Sequence, residues 1–359
     1  MNASSPTRST GFWAEAWRRF RRKPLAMAAL AFVSLLMLVA GLAPAIAGTK
    51  PVICRYKGRL YAPCLGYFDR RLEPTIFAKD KFRGTYPRNL AEKDPGSWAV
   101  WPLVFQDPYR SVRDDEWPGR PANPARDEGR PSRINLFGTD QAGVDVFAKM
   151  VHGTTIALLV GFVSMGIAGS IGIVVGALGG YLGGWVDMLT SRVTEIVMCI
   201  PTLVLILSIM ALLEKPTIWH TMAIIGATGW TGIARLTRGE FLRLRQSEFV
   251  TAARATGAGP VRIMLRHILP NALAPILVPI TFGIASAILT ESSLSFLGFG
   301  PPPPSASWGS ILNDARSNLS MWWLVVFPGV AIFLTVLAYN LIGEGLQEAT
   351  DPRLREARK

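Results

Sequence analysis

Apolar residues in this chain fall into long runs, and the polar stretches between them are short except in one place. Six runs stand out: Leu25–Ala47, Ile156–Leu182, Ile196–Leu213, Thr217–Ile233, Leu273–Leu289 and Trp322–Ile342. A helix needs roughly 20 apolar residues to cross a bilayer. In lipid each crossing must also satisfy its own backbone hydrogen bonds. The pattern therefore predicts an all-α integral membrane bundle of six helices, the fourth shorter and more polar than the rest. No period-two alternation argues for a sheet among these runs.

Charge orients the bundle. The stretch "WRRFRRKP" precedes the first run, and Arg18, Arg19, Arg21, Arg22 and Lys23 hold that end in the cytoplasm. The small residues of "APAIAG" before Gly48 also fit a cleaved signal peptide. A signal's apolar region spans about 7–15 residues, and this run is longer, which favours an uncleaved anchor. Six crossings then return the C-terminus to the cytoplasm. They also place the arginine-rich segment 235–266 on that side, between the fourth and fifth runs. The composition, 50% hydrophobic and only 18% charged over 359 residues, belongs to the same class. The net charge of +13 needs no nucleic acid, because it orients the chain and faces anionic lipid or a partner.

The exception to the short breaks is the segment 48–153, expected outside the membrane. Its part "PGRPANPARDEGRPSR" is polar and proline-dense and reads as an extended linker. The earlier "PVICRYKGRLYAPCLGYF" reads as a small hairpin turning at Lys57-Gly58. Cys54 and Cys64 flank that turn on the outer side, where a disulfide can form. They are not directly opposite in a two-residue hairpin, so a candidate disulfide and simple packing both stand. Cys199 lies in a run and reads as packing. The organisation is then a basic tail (1–24), a first crossing (25–47), the outer insert (48–153), a five-helix core (154–348) with a cytoplasmic loop at 246–270, and a cytoplasmic tail (349–359).

Ser164, Ala168, Gly172, Gly176, Gly180 and Gly184 recur every four residues along the second run. Small residues at this spacing let helix backbones approach closely. Each step drifts about 40° around the helix, so the ridge winds and cannot meet one straight neighbour. Packing within the bundle and contact with another subunit are its two readings.

Motor and catalytic chemistry leave no trace. The chain has no P-loop "GxxxxGK[ST]", no "HExxH" and no "GxSxG". His152, His220 and His267 are scattered and suggest no metal framework. Glu195 and Glu291 are expected near run ends, within reach of water. A secondary carrier or channel would need coupling charges near the midplane or a filter, and neither is visible.

One polar stretch between the fourth and fifth runs, "EFVTAARATGAGPVRIMLRHILPNALAPI", is built differently. Residues 248–256 should be helical, with Phe249, Ala252, Ala253 and Thr256 clustered and the two alanines offering a shallow face. Gly257 and the following "AGP" break the helix. A second basic helix spans 261–268, and Pro270 starts the next crossing. "TAARATG" followed by "HILPN" resembles the EAA loop of ABC importer permeases, E-A-A-x-x-x-G with I-x-L-P downstream. Thr251, Ala252, Ala253, Gly257, Leu269 and Pro270 occupy the pattern's positions, with Thr251 replacing the Glu and His267 the Ile. "FGTDQAGVDVFAKMVHG", with Val144 where Arg is usual, is similar to the dipeptide and oligopeptide C-subunit branch. So are "GYLGGWVD", "LTESSLSFLGFGPPPPSASWGSIL", "WWLVVFPGVAI" and "DPRL". The outer hairpin with "SWAVWP" further resembles the Yej-type peptide permease.

The resemblance implies the six-helix type I permease fold with an extracytoplasmic insert after the first helix, in the cell inner membrane. It also implies a second permease as heterodimer partner and two ATPase domains that bind ATP and Mg, one gripping this EAA loop. A solute-binding protein would deliver di- or oligopeptides, or in some members nickel. The chain itself would hold no cofactor, and the pathway-lining residues stay unnamed.

Overall fold

The structure is a computed structural model that describes residues 12–82, 85–117, 121–124, 128–214, 216–300 and 305–350. The linker "PGRPANPARDEGRPSR" falls partly, and "DPRL" wholly, outside these residues. A short amphipathic helix α1 (Phe12–Phe20) leads into α2 (Pro24–Ile46), which Pro24 starts at a position where a missing N–H costs nothing. A long insert follows, with strands β1 (Ile53–Tyr56), β2 (Arg59–Tyr61) and β3 (Trp98–Val100) and short helices α3 (Thr75–Lys79) and α4 (Tyr86–Lys93). The strands form an antiparallel sheet in the order β2-β1-β3, and the turn falls at Lys57-Gly58, both with positive φ. That conformation matches the twist of a two-residue hairpin.

The bundle itself contains α5 (Val146–Leu182), α6 (Gly184–Met198), α7 (Thr202–Ala211), α8 (Ile218–Thr228) and α9 (Thr231–Arg245). After these come α10 (Glu248–Ala255), α11 (Pro260–Arg262), α12 (Leu269–Phe296), α13 (Trp308–Ala315) and α14 (Trp323–Thr350). A wide helical turn at Ile263–Ile268 joins α11 to α12, giving one 37-residue helix, Pro260–Phe296. Among the described residues four helices are long and apolar enough to cross a membrane: α2, α5, this joined helix and α14. The third run became α6 and α7, bent by 78° at Pro201 and counting as a fifth crossing if the pair is one span. The fourth run became α8 and the start of α9, broken at Gly229-Trp230, and neither half is long enough alone.

Packing directions tie these pieces together. His152 Nε2 bonds the Ala47 carbonyl (2.8 Å) and Thr155 Oγ the Ala40 carbonyl (3.0 Å), so α2 and α5 run antiparallel. Gly161 meets Ile288 and Gly169 meets Ile280, so α5 and α12 are antiparallel too. The pair α5 and α8–α9 differs. Ser164 Oγ donates to the Met222 carbonyl (3.0 Å), Gly172 meets Ile233 and Gly180 meets Phe241, all ascending together. Parallel neighbours separated in sequence by α6–α7 require that pair to carry the chain back across the bundle.

Two expectations need correction. Glu291 does not reach water: it is 1% exposed, and Ser295 Oγ donates to its carboxyl at 2.6 Å. Its helix runs to Phe296, about two turns further than the apolar run suggests, and the loop after it folds back as α13 over that end. Cys199 is exposed, because the bend at Pro201 turns it out of the packed face.

Candidate functional site

The turn between α9 and α12 is fixed by three local devices. Helix α10 ends in a paired closure in which Ala258 N–H donates to the Ala253 carbonyl (3.0 Å) and Gly257 N–H to the Arg254 carbonyl (2.9 Å). This closure needs a left-handed residue after the cap, and Gly257 has φ +82°. A Cβ there would meet nothing within 4 Å, so glycine is required by backbone conformation and not by space. The second device is a pair of cation–π contacts, in which Arg245 and Arg254 lie 6.0 and 5.9 Å from the Tyr181 ring. They hold α10 against the end of α5. The third is the wide turn, where Leu269 N–H reaches back to the Met264 carbonyl, one residue further than an α-helix does. Pro270 follows at once and has no N–H to give.

Within this frame α10 sorts its residues differently from the sequence reading. Val250 and Ala253 are buried against Ile263 and Ile268 in the main core, while Thr251, Ala252 and Thr256 are exposed. The two alanines therefore do not share a face: Ala253 belongs to the chain's own packing and Ala252 to the open side. Consecutive residues on a helix point about 100° apart, and the inward phase is set by what lies beneath. Leu269 is half-buried and Pro270 exposed. The open side also carries Phe249, Val261 and Leu265, which are 40%, 68% and 61% exposed. Val261 and Leu265 were missed by sequence reasoning. Their signal was an i, i+4 apolar pair, each member followed by an arginine (Arg262 and Arg266), on a stretch too polar to cross. The result is a rigid bracket showing an apolar, small-residue and basic surface at one end of the bundle.

Glycines connect the bracket to the rest. Cβ atoms on Gly172, Gly176 and Gly180 would strike Ile233, Thr237 and Phe241 on successive turns of α9, at 2.8, 2.7 and 2.8 Å. Ser164 and Ala168 lie instead against α8. The winding ridge is thus followed by a neighbour broken in two at Gly229-Trp230. Gly184 is not part of the ridge: it opens α6 with φ +57° and open space around it. Asp187 of α6 and Arg238 of α9 form an ion pair beside the ridge, with Arg238 Nη2 donating to Asp187 at 2.7 Å.

At the other end, the block "FGTDQAGVD" caps α5. Asp145 accepts from Ala148 N–H and from Asn135 Nδ2, both at 2.8 Å. Lys149 bridges Asp140 and Asp314, and the Trp323 indole donates to the Thr139 carbonyl (2.9 Å). Val144, at the position where Arg is usual, is buried. Cys54 and Cys64 of the candidate disulfide are both buried free thiols, with Cys64 Sγ donating to the Val52 carbonyl at 3.4 Å. Midway along the bundle a cavity of about 200 Å³ opens at the α8–α9 break. Thr228, Gly229, Gly232, Gly283, Ser286 and Thr290 are among its lining residues. Among the described residues no group of three His, Cys, Asp or Glu side chains could hold a metal ion.

Residues 172–356 match the family described as binding-protein-dependent transport system inner membrane component. Residues 11–59 match the N-terminal transmembrane domain of oligopeptide transport permease C. The dipeptide transport system permease protein DppC of Alkalihalophilus pseudofirmus is 40% identical over 234 residues, 65% of this chain and 77% of the relative. DppC of Bacillus subtilis is 39% identical over 227 residues, 63% of this chain and 71% of the relative. A solved structure of the methionine ABC transporter MetNI, inward facing, superposes with a TM-score of 0.43 at 20% identity, covering 56% of this chain and 97% of that one.

Proposed function

Because the chain belongs to the family of binding-protein-dependent transport system inner membrane components, we propose that it is one permease of an ATP-driven importer of di- and oligopeptides. A second permease completes the pathway, and a solute-binding protein delivers the peptide from outside. Both termini lie in the cytoplasm. ATP and Mg are bound by two separate ATPase domains, one of which grips the bracket formed by α10, α11 and the wide turn. The observation that carries this reading is the bracket itself, an exposed apolar and basic surface held rigid between two membrane helices. Closure of the ATPase pair would push the bracket, and its continuous helix to Phe296 would carry the movement across the bilayer. The small and hydroxyl side chains at the α8–α9 break line the route, where a peptide main chain finds hydrogen-bond partners and no fixed charge.

The test is a pair of substitutions on one helix. Ala252→Arg places bulk on the open side and should abolish ATPase co-purification and uptake while leaving membrane insertion normal. Gly257→Val forces a β-branched residue into the left-handed region, at about 1–2 kcal/mol, and should weaken coupling without unfolding the bundle. A charge at Ala253 would enter the chain's own core and could not separate docking from folding. Wild-type uptake by an inserted Ala252→Arg transporter, with the ATPase still bound, would remove the bracket as the docking site. Uptake of labelled peptides and of Ni²⁺ by cells with and without the chain decides the solute.

A further inference from the structure

A polar recess of about 300 Å³ lies between α5, α6 and α9, toward the end of the bundle that carries the bracket. Its lining includes Thr190, Ser191, Thr194 and Glu195 of α6 and Arg235 and Arg238 of α9. Most of the charge around it is matched. Arg238 Nη2 donates to Asp187 at 2.7 Å, with Nε on the same carboxylate, and Arg192 pairs with Glu195 at 2.7 Å. Arg235 is the charge left over. Among the described residues its guanidinium meets the Met198 thioether, a weak acceptor, and no carboxylate.

The height of the recess follows from helix register. Thr155 bonds Ala40 across the antiparallel pair α5 and α2. Gly172 lies as far beyond Thr155 as Lys23 lies before Ala40, so Gly172 is level with the start of the first crossing. Gly176, about one turn further, packs on the backbone of Ala234 and Arg238. Arg235 and Arg238 therefore stand at the height of the basic stretch before Pro24, where lipid headgroups begin. The recess also faces away from the proposed route. Gly232 lines the cavity at the α8–α9 break, and Arg235 and Arg238 lie about 60° and 120° further round α9, toward α6.

We propose that this recess binds the phosphate of an anionic phospholipid headgroup from the adjoining leaflet, with Arg235 as its principal ligand. The proposal goes beyond the importer reading but rests on its placing this end in the cytoplasm. An arginine at the membrane boundary with no protein partner marks a site for an anion, and the guanidinium fork matches phosphate oxygens. Basic pockets between membrane helices on the cytoplasmic side take anionic headgroups. The cavity is the size of a headgroup and too small for a helix, and α2, α5 and α9 place it against the leaflet that supplies one. A headgroup held there ties α6 to α9 beside the bend at Pro201.

The experiment is native mass spectrometry of the complete, delipidated transporter titrated with phosphatidylglycerol, phosphatidylethanolamine or inorganic phosphate. Phosphatidylglycerol should bind in preference to the other two and raise the thermal midpoint. Arg235→Gln should weaken that binding by about tenfold or more, the loss of one hydrogen bond to a charged group. Arg243→Gln, which removes an arginine of the same helix paired with Glu240 outside the recess, should leave it unchanged. Equal affinity in wild type and Arg235→Gln, or an equal loss in both variants, would overturn the site. Inorganic phosphate binding as tightly as the lipid would overturn the lipid as its source. Loss of the companion permease from the Arg235→Gln transporter would mean that protein covers the recess, and would overturn it too. These readouts do not depend on uptake. If a cysteine at Arg243 is labelled from outside, the cytoplasmic placement itself fails; if it is protected and the lipid does not bind, this site alone is wrong.

Discussion

Burial pushes the Cys54 thiol up to about 11, and the nearby Cys64 adds to the shift. A raised thiol pKa keeps the neutral form, so the reactive thiolate is scarce at neutral pH. Native protein should therefore alkylate very slowly at Cys54 near pH 7.5, and faster as pH climbs toward 11. After denaturation without reductant, both outer cysteines should label freely, as the two free thiols of the structure require. Mass spectrometry showing them joined would contradict this. The sequence supplied the turn at Lys57-Gly58 and the near approach of the two cysteines, but bonding depends on side-chain placement that spacing does not fix. Gly257 was legible for the opposite reason, since its role is a backbone conformation that a glycine after a helix announces. The division between Ala252 and Ala253 was not legible, because both alanines look alike until the surface beneath is known.

Among the elements, α5 with its glycines gives the sharpest contrast. Gly176→Leu would drive a side chain into Thr237 and the backbone of α9, and overpacking of this kind costs about 1–3 kcal/mol or more. The thermal midpoint in detergent should fall clearly. Gly166→Leu, on the same helix with nothing within 4 Å, should leave it nearly unchanged. Equal effects at both positions would mean that α5 does not pack as described. The four-residue spacing revealed that something approaches closely. It did not reveal that the neighbour is a broken pair of helices running parallel to α5, nor that Gly184 drops out at the helix end. Similarly, the proline at 270 marked a boundary in the sequence, while the structure runs a continuous helix through it by widening the preceding turn.

For the whole molecule, the packing directions make a single topology testable. In a background with Cys199 replaced by Ala, an impermeant thiol reagent applied from outside should reach a cysteine placed at Glu92 in α4. It should not reach one placed at Arg243 near the end of α9. Labelling at Arg243 from outside, with Glu92 protected, would invert the bundle and remove the docking proposal.

What the sequence determined by itself is the membrane class, the clustering of arginines beside the first crossing, the hairpin and the bracket's glycine. Each follows from local chemistry: apolar length, charge near a crossing, or a backbone conformation one residue type prefers. Tertiary structure decided what depends on neighbours far along the chain. It turned the third and fourth apolar runs into broken pairs, buried Glu291 beneath a returning loop, and chose which alanine of α10 faces outward. It also aligned Ile53, Arg55 and Leu60 with Trp98 and Val100, some forty residues away, because a sheet face exists only once its strands have paired.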